Sequence, residues 1–296
     1  MNALIASPQL TGSTTPSLSA TGAIATLEGL ATQPRTAPHG VTALAERPVA
    51  ASPDVNSWTR LVFARLSQRY EHSSGSDLLA WAIETFGNGL SIGTGLGASG
   101  IVLMDMALEI NPDVDIFYID TGYFFPETID LVQRLEERYQ RSLRRVASEI
   151  SIPAQEKRFG PTLYANDPNL CCQVRKVLPL KKALADSTAW VTALRHDQSS
   201  TRKGVPMVQW NERYNVVKIA PLAYWTEADI WQYIQEKGLP YNTLHDQNYP
   251  SIGCWPCTRP VEAGADLRAG RWQGLEKKEC GLHWELTEQS LNLAPA

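Results

Sequence analysis

The sequence predicts an α/β protein, a parallel sheet flanked by helices. Three observations carry that reading: short apolar runs that suit buried strands, amphipathic helical patterns between them, and a glycine-rich turn joining the first strand to a helix. At about 100–200 residues per domain, a chain of 296 residues holds one large domain or two small ones. Its 27 Lys and Arg against 31 Asp and Glu leave a formal charge of −4, and 43% hydrophobic residues suit a globular interior. Such a charge excludes a binder drawn to nucleic acid by electrostatics, though not a local basic pocket. No apolar run approaches the ~20 residues that cross a bilayer, so a soluble protein is expected.

Residues 1–55 are expected to be a disordered tail. The first fifty carry only Glu28, Arg35, Glu46 and Arg47 as charges, among Ser, Thr, Ala, Pro and Gly that bury little. No basic stretch precedes a sustained apolar run, which argues against a signal peptide, and sparse arginine argues against a transit peptide. Order begins near Trp58. Trp58, Val62, Leu66 and Tyr70 recur at helical spacing, and a second helix over 77–86 has Ser74 or Ser76 as cap and Gly87 as stop. A strand follows over Leu90–Thr94, then the turn 95–100 and a helix over 101–110 ended by Asn111-Pro112-Asp113. Asp115–Ile119 reads as a buried strand and Pro126–Tyr139 as an amphipathic helix. Two more strands are expected over 189–194 and 215–219. Thr226 to Asp229 resembles a capping box opening a helix over 228–237 that Gly238 and Pro240 stop. From 241 to 260 the chain reads as loop. Trp81, Trp225 and Trp231 are expected in the core, and Arg141, Arg144 and Arg145 on a solvated face.

Two strand ends carry ligand signals. The turn 94–100 would offer backbone N–H groups and a helix N-terminus to an anion, yet it fits neither the P-loop nor a convincing dinucleotide fingerprint. Asp120-Thr121-Gly122 ends the next strand on the same carboxyl edge, where open α/β sheets bind ligands. Together they favour a nucleotide-sized ligand.

The five cysteines are too few for a disulfide scaffold and oddly placed for scattered core thiols. Cys171 and Cys172 are adjacent, Cys254 and Cys257 form a C-x-x-C, and the first 170 residues contain none. A structural zinc site would normally use C-x-x-C on both sides, because adjacent side chains diverge. A larger cluster with separated metal corners tolerates adjacency, which favours iron–sulfur over zinc. Cys280 stands apart in sequence, with Lys277, Lys278 and His283 nearby and Gly281 following. Positive surroundings lower a thiol pKa, so Cys280 reads as a nucleophile on a mobile C-terminal segment, the alternative being a stray surface thiol.

Cys171-Cys172, Cys254-Trp255-Pro256-Cys257 and Glu279-Cys280-Gly281-Leu282-His283, in that order, resemble the assimilatory adenosine 5′-phosphosulfate (APS) reductases. The stretches Ile119 to Thr128 and Arg195 to Arg202 resemble the nucleotide-pocket motifs shared by APS and 3′-phospho-APS (PAPS) reductases, and the likeness spans about 58–286. It departs at Ala193 and His196, where the family usually has glycine and arginine. The resemblance implies an adenine nucleotide α-hydrolase-like fold, with a reductase domain over 56–265 and a catalytic tail over 266–296. It implies a 4Fe–4S cluster on Cys171, Cys172, Cys254 and Cys257. Cys280 would attack APS, expel AMP and carry the sulfonate, which thioredoxin or glutaredoxin would release as sulfite. Lys176, Arg268, Arg271 and His283 fall where the family places cations around the phosphosulfate. Thr94, Gly97, Ile119, Asp120, Thr121, Gly122, Arg195 and Arg202 match its substrate pocket. A cytoplasmic enzyme of sulfate assimilation and cysteine biosynthesis follows, with no nucleic-acid or membrane partner, a separate protein as reductant, and homo-oligomerisation left open. Dual use of APS and PAPS is the alternative. A tRNA thiolase would need an S-G-G-x-D-S loop, which 91–100 does not supply. A non-enzymatic zinc or cluster-binding regulator would leave Cys280 and the 120–128 motif without a purpose.

Overall fold

The computed structural model describes residues 55–283. Of the tail expected over 1–55 only Val55 falls in that range, and 284–296 also lie outside it. The described residues contain strands β1 (Leu90–Thr94), β2 (Asp115–Asp120), β3 (Arg144–Ala147), β4 (Ala189–Thr192), β5 (Val208–Asn211) and β6 (Val216–Ile219). They form one sheet in the order β3-β2-β1-β4-β6-β5. Every neighbouring pair is parallel except β5 and β6, so the sheet is a parallel one with an antiparallel edge. Ile92 of β1 lies between Ile116 of β2 and Val191 of β4, all of them buried. Strands buried on both faces need helices on both, and apolar runs such as Ile116-Phe117-Tyr118 are the sequence form of that requirement.

The helices are α1 (Arg60–Tyr70), α2 (Gly75–Phe86), α3 (Ala98–Ile110), α4 (Pro126–Tyr139), α5 (Ile152–Phe159), α6 (Leu163–Asn166), α7 (Pro168–Cys172), α8 (Leu178–Ala183) and α9 (Glu227–Lys237). Reciprocal capping boxes set the starts of two of them. Ser74 accepts from the Asp77 N–H while Asp77 accepts from the Ser74 N–H, and Thr226 and Asp229 make the same reciprocal pair before α9. Gly238 ends α9 in the left-handed conformation, φ 56°. α3 starts at Ala98, three residues earlier than its periodicity indicates. Everything from Ala98 to Ala107 is buried, so its first turn shows no polar face to reveal it. Asp105, buried in α3, accepts hydrogen bonds from Tyr139 of α4 and Tyr233 of α9 at 2.5 and 2.9 Å, joining three helices over the sheet.

Three segments escape the periodicity reading: β3, β5 and the helical stretch 152–183. β3 is a four-residue edge strand whose Arg144 and Arg145 are exposed, as expected of a solvated face. Their partners are carboxylates of β2, with Arg144 on Asp115 and Arg145 on Asp120. Charge on a short edge strand discourages pairing with another chain, and it hides the strand from hydropathy. Trp81, Trp225 and Trp231 are partly buried and pack against the main core.

Candidate active site

The carboxyl ends of β1, β2 and β4 border a cavity of about 270 Å³. β1 has β2 on one side and β4 on the other, so this is the point where strand order reverses. Its floor is the turn after β1. The Thr94 hydroxyl accepts the Leu96 N–H at 3.2 Å, and Leu96 takes a left-handed conformation, φ 56°, before α3 begins. Gly97 precedes α3 without a capping side chain, so the N–H groups of the first turn are left to an anion in the cavity. A Cβ at Gly100 would lie 2.7 Å from the Thr94 hydroxyl, so glycine is what lets α3 approach β1 this closely.

The walls are cationic. Lys176, Arg195, Arg202, Arg268 and Arg271 line the cavity together with His283 and Cys280. Arg195 is 2% exposed and pairs with Asp197 at 2.9 Å and with Glu227, while it also donates to the Ser99 hydroxyl. Its guanidinium therefore braces the first turn of α3. Arg202 and Arg268 share Glu279, at 2.8 and 3.3 Å. Arg271 packs where Gly253 leaves room for its guanidinium, which sits 4.6 Å from the centre of the Trp272 ring. His283 stacks on Trp190 at 5.2 Å; burial, with Lys218, Arg202 and Arg268 nearby, holds it well below its ordinary pKa and hence neutral.

Cys280 lines this cavity with Lys176 and Arg268 beside it. Burial pushes its thiol up, but Lys176, the Leu282 N–H and Arg268 outweigh burial and Glu279, so its pKa lies below the ordinary thiol value. The cations responsible differ from those adjacent in sequence. Lys277 hydrogen-bonds Asn169 and His283 is neutral, so the thiol is activated by side chains distant in sequence. Several contacts hold the segment around Cys280 in this position. Glu279 is held by two arginines and Thr201, Arg268 donates to the Lys278 carbonyl, and Arg213 donates to the Gly281 carbonyl.

Cys171, Cys172, Cys254 and Cys257 line a second, very small cavity with Tyr123, Tyr164, Arg175 and Lys176. α7 and α8 run on from one another through a π-turn over Gln173–Val177, within which Arg175 and Lys176 are both buried. Such widened turns are often found at functional sites. Cys171 is pushed up to about 12 by burial and by the other three sulfurs, and Cys172 to about 11 by burial, against Lys176. The Cys254 thiol lies 3.3 Å from the Thr121 hydroxyl. Among the described residues no three His, Cys, Asp or Glu side chains are grouped as ligands of a metal ion. Four free thiols around one cavity are a donor set whose chemistry suits a thiolate-bound cluster. Lys176 lines both cavities and keeps its charge despite burial, through Cys254, Cys172 and Cys280.

Of the residues expected to contact a substrate, Thr94, Gly97, Ile119, Thr121, Lys176, Arg195, Arg202, Arg268, Arg271 and His283 line the first cavity, whereas Asp120 and Gly122 do not. Asp120 pairs with Arg145 and accepts the Gly122 N–H at 2.8 Å, and Gly122 turns the chain at φ 74°. Both shape the strand end that presents Thr121. The sequence reading missed Ser99, Trp190, Gln198 and Glu227, which also line the cavity. Buried arginines demand carboxylates, so Arg195 was the available signal for Glu227.

This arrangement defines an α/β protein with a nucleotide-sized anion pocket and an activated thiol in its wall. Residues 90–260 match the family model of the phosphoadenosine phosphosulfate reductase domain. An adenosine 5′-phosphosulfate reductase of Salinibacter ruber is 43% identical over 235 residues, covering 79% of this chain and 93% of that protein. The adenosine 5′-phosphosulfate reductase 2 of Bacillus subtilis is 46% identical, covering 71% of this chain and 89% of its own. A crystal structure of phosphoadenylyl-sulfate reductase from Candida auris, in complex with phosphate, superposes with a TM-score of 0.61 at 31% identity, over 69% of this chain and 98% of that one. The chain belongs to the phosphoadenosine phosphosulfate reductase domain family.

Proposed function

We propose that this protein is an oxidoreductase of sulfate assimilation, leading toward cysteine, that reduces APS to sulfite and AMP with Cys280 as nucleophile. The observation that carries the reading is a thiol held below its ordinary pKa in the wall of a cationic, nucleotide-sized cavity. The turn 94–100 and the first turn of α3 receive the nucleotide, and Lys176, Arg268 and Arg271 draw the phosphosulfate toward Cys280.

The Cys280 thiolate bonds to the sulfate sulfur. The sulfur–oxygen bond to phosphate breaks, and AMP leaves with that electron pair. Phosphate is a good leaving group, and the cations neutralise the charge it gains. An S-sulfocysteine remains. A thiolate of thioredoxin or glutaredoxin then attacks Sγ of Cys280 and displaces sulfite. The partner's second thiol resolves the mixed disulfide and returns the Cys280 thiol. Two thiols are oxidised to a disulfide while sulfur falls from the sulfate to the sulfite level, so thiols supply both electrons.

Cys171, Cys172, Cys254 and Cys257 would hold a 4Fe–4S cluster, which supplies an electrostatic and organising framework beside the substrate cavity. Lys176, lining both cavities, ties that framework to the nucleophile. No helix among the described residues is long and apolar enough to cross a membrane. We place the enzyme in the cytoplasm, where the reducing thiol pool keeps its free cysteines reduced. The test is incubation with APS in the absence of reductant. Mass spectrometry should find one sulfonate on Cys280 and release of one AMP; an unmodified Cys280 after AMP release defeats the proposal.

A further inference from the structure

Glu279 immediately precedes Cys280 and is 3% exposed. Its carboxylate accepts two hydrogen bonds from Arg202 at 2.8 and 2.9 Å, one from Arg268 at 3.3 Å and one from Thr201 at 2.9 Å. Arg202 and Arg268 also line the nucleotide cavity. One carboxylate therefore joins two cavity arginines to the residue beside the nucleophile. In the sequence Glu279 belongs to the motif around Cys280, and nothing local to it indicates this role.

We propose that Glu279 is a positioning residue and latch, whose carboxylate clamps the Cys280 segment onto Arg202 and Arg268 and competes with the anionic ligand for the same two guanidiniums. This deepens the reading of Cys280 as nucleophile and rests on it. Two buried guanidiniums near each other repel, and a single carboxylate between them compensates both only while the segment is closed. In accord with that, burial and Arg202 push Arg268 down to about 10, while Arg202 and Arg268 overcome burial to hold Glu279 at about 2. The other contacts of the segment, such as the Arg268 and Arg213 bonds to backbone carbonyls, are single neutral-acceptor bonds. Breaking the carboxylate clamp is thus, beside loss of the attraction between Lys176 and the Cys280 thiolate, the main electrostatic cost of exposing Cys280. An anion arriving at Arg202 and Arg268 lowers that cost, because it takes over the charge that Glu279 compensates. Opening for a protein reductant, after the first step has left AMP or sulfonate in the cavity, is then coupled to the presence of that anion.

The test compares wild type with Glu279→Gln and Glu279→Asp, purified anaerobically, by alkylation of Cys280 with iodoacetamide and by AMP binding. Neither readout requires turnover, so both are independent of whether APS is the substrate. Alkylation is followed against pH, because Lys176, Arg268 and Glu279 all act on the Cys280 thiol and the variant shifts its midpoint downward. Above the midpoint a faster plateau reports access, because the lower-pKa thiolate of the variant is intrinsically the less nucleophilic. The proposal expects a plateau at least about ten-fold faster in Glu279→Gln, with Glu279→Asp intermediate, as befits loss of a buried ion pair. It also expects AMP to bind the Gln variant at least as tightly as wild type, because the competing carboxylate is gone. An unchanged plateau overturns the latch. A faster plateau together with lost AMP binding overturns the competition and makes Glu279 only a prop of the pocket.

Discussion

Lys176 is the chief cationic influence on the Cys280 thiol, although 104 positions separate them in the sequence and a π-turn is what buries the lysine. A group whose folded pKa is depressed ionises at lower pH, so the Cys280 thiolate is populated below the ordinary thiol value. With saturating APS and no reductant, S-sulfonation should rise with pH and level off before that value. Lys176→Met should move the midpoint upward and slow the reaction at neutral pH about ten-fold or more, the rate following the thiolate fraction. A profile that does not move would assign the activation to Arg268 instead.

The four paired cysteines should bind iron and sulfide. Anaerobic protein is expected to contain about four of each, the stoichiometry of a 4Fe–4S cluster, with a brown colour lost in Cys172→Ser and retained in Cys280→Ser. Stoichiometric zinc without sulfide would refute the assignment. Cys280 couples electrostatically to Cys172 but does not line the cavity of the paired cysteines, so it is expected to stay outside the set.

The turn that begins α3 should tolerate little change. Gly100→Ala places a methyl 2.7 Å from the Thr94 hydroxyl, whose partner is the Leu96 N–H. Relief of that clash moves the backbone donors of the anion site. AMP binding should weaken about ten-fold or more while the protein stays folded, at a stability cost of about 1–3 kcal/mol for an overpacked site. Calorimetry with AMP and a thermal melt check both parts. Undiminished affinity would mean that the first turn of α3 does not receive the nucleotide.

The parallel core was legible where a strand buried on both faces reads as a continuous apolar run, as at Ile116-Phe117-Tyr118, and where a glycine-rich turn follows a short strand, as after Leu90–Thr94. Caps at Ser74 and Thr226 were legible because their chemistry is local. The helix carrying Cys171, Cys172 and Lys176 was not, since a π-turn breaks the 3.6-residue period and its charged residues are buried. Cysteine spacing pointed to the thiol-lined cavity without any knowledge of that helix. The environment of Cys280 was misjudged for a related reason. Neighbours in sequence suggested Lys277, Lys278 and His283, whereas the fold brings Lys176 and Arg268 to the thiol. Counter-charges such as Glu227 and Glu279 are set by tertiary contacts and leave no periodic trace.

The cavity's charge balance is expected to favour APS over PAPS. Arg195 is matched by Asp197 and Glu227, and Arg202 and Arg268 share Glu279. Lys176, Arg271 and the surplus of the shared pair are what remain for a ligand, and the Cys280 thiolate takes up part of that charge. His283 and His245 add nothing at neutral pH, because burial holds both below the ordinary imidazole value. What is left suits the two negative charges of a phosphosulfate. A 3′-phosphate brings nearly two more, and no further cation lines the cavity among the described residues. Burying it unpaired costs several kcal/mol, so kcat/KM should favour APS by about a hundred-fold or more at matched thioredoxin. The Glu279 clamp supplies a second arm for this measurement. Releasing Arg202 and Arg268 in Glu279→Gln should narrow the preference by improving PAPS more than APS. Wild-type kcat/KM values that are equal, or that favour PAPS, would show that the surplus charge is larger than these ion pairs leave.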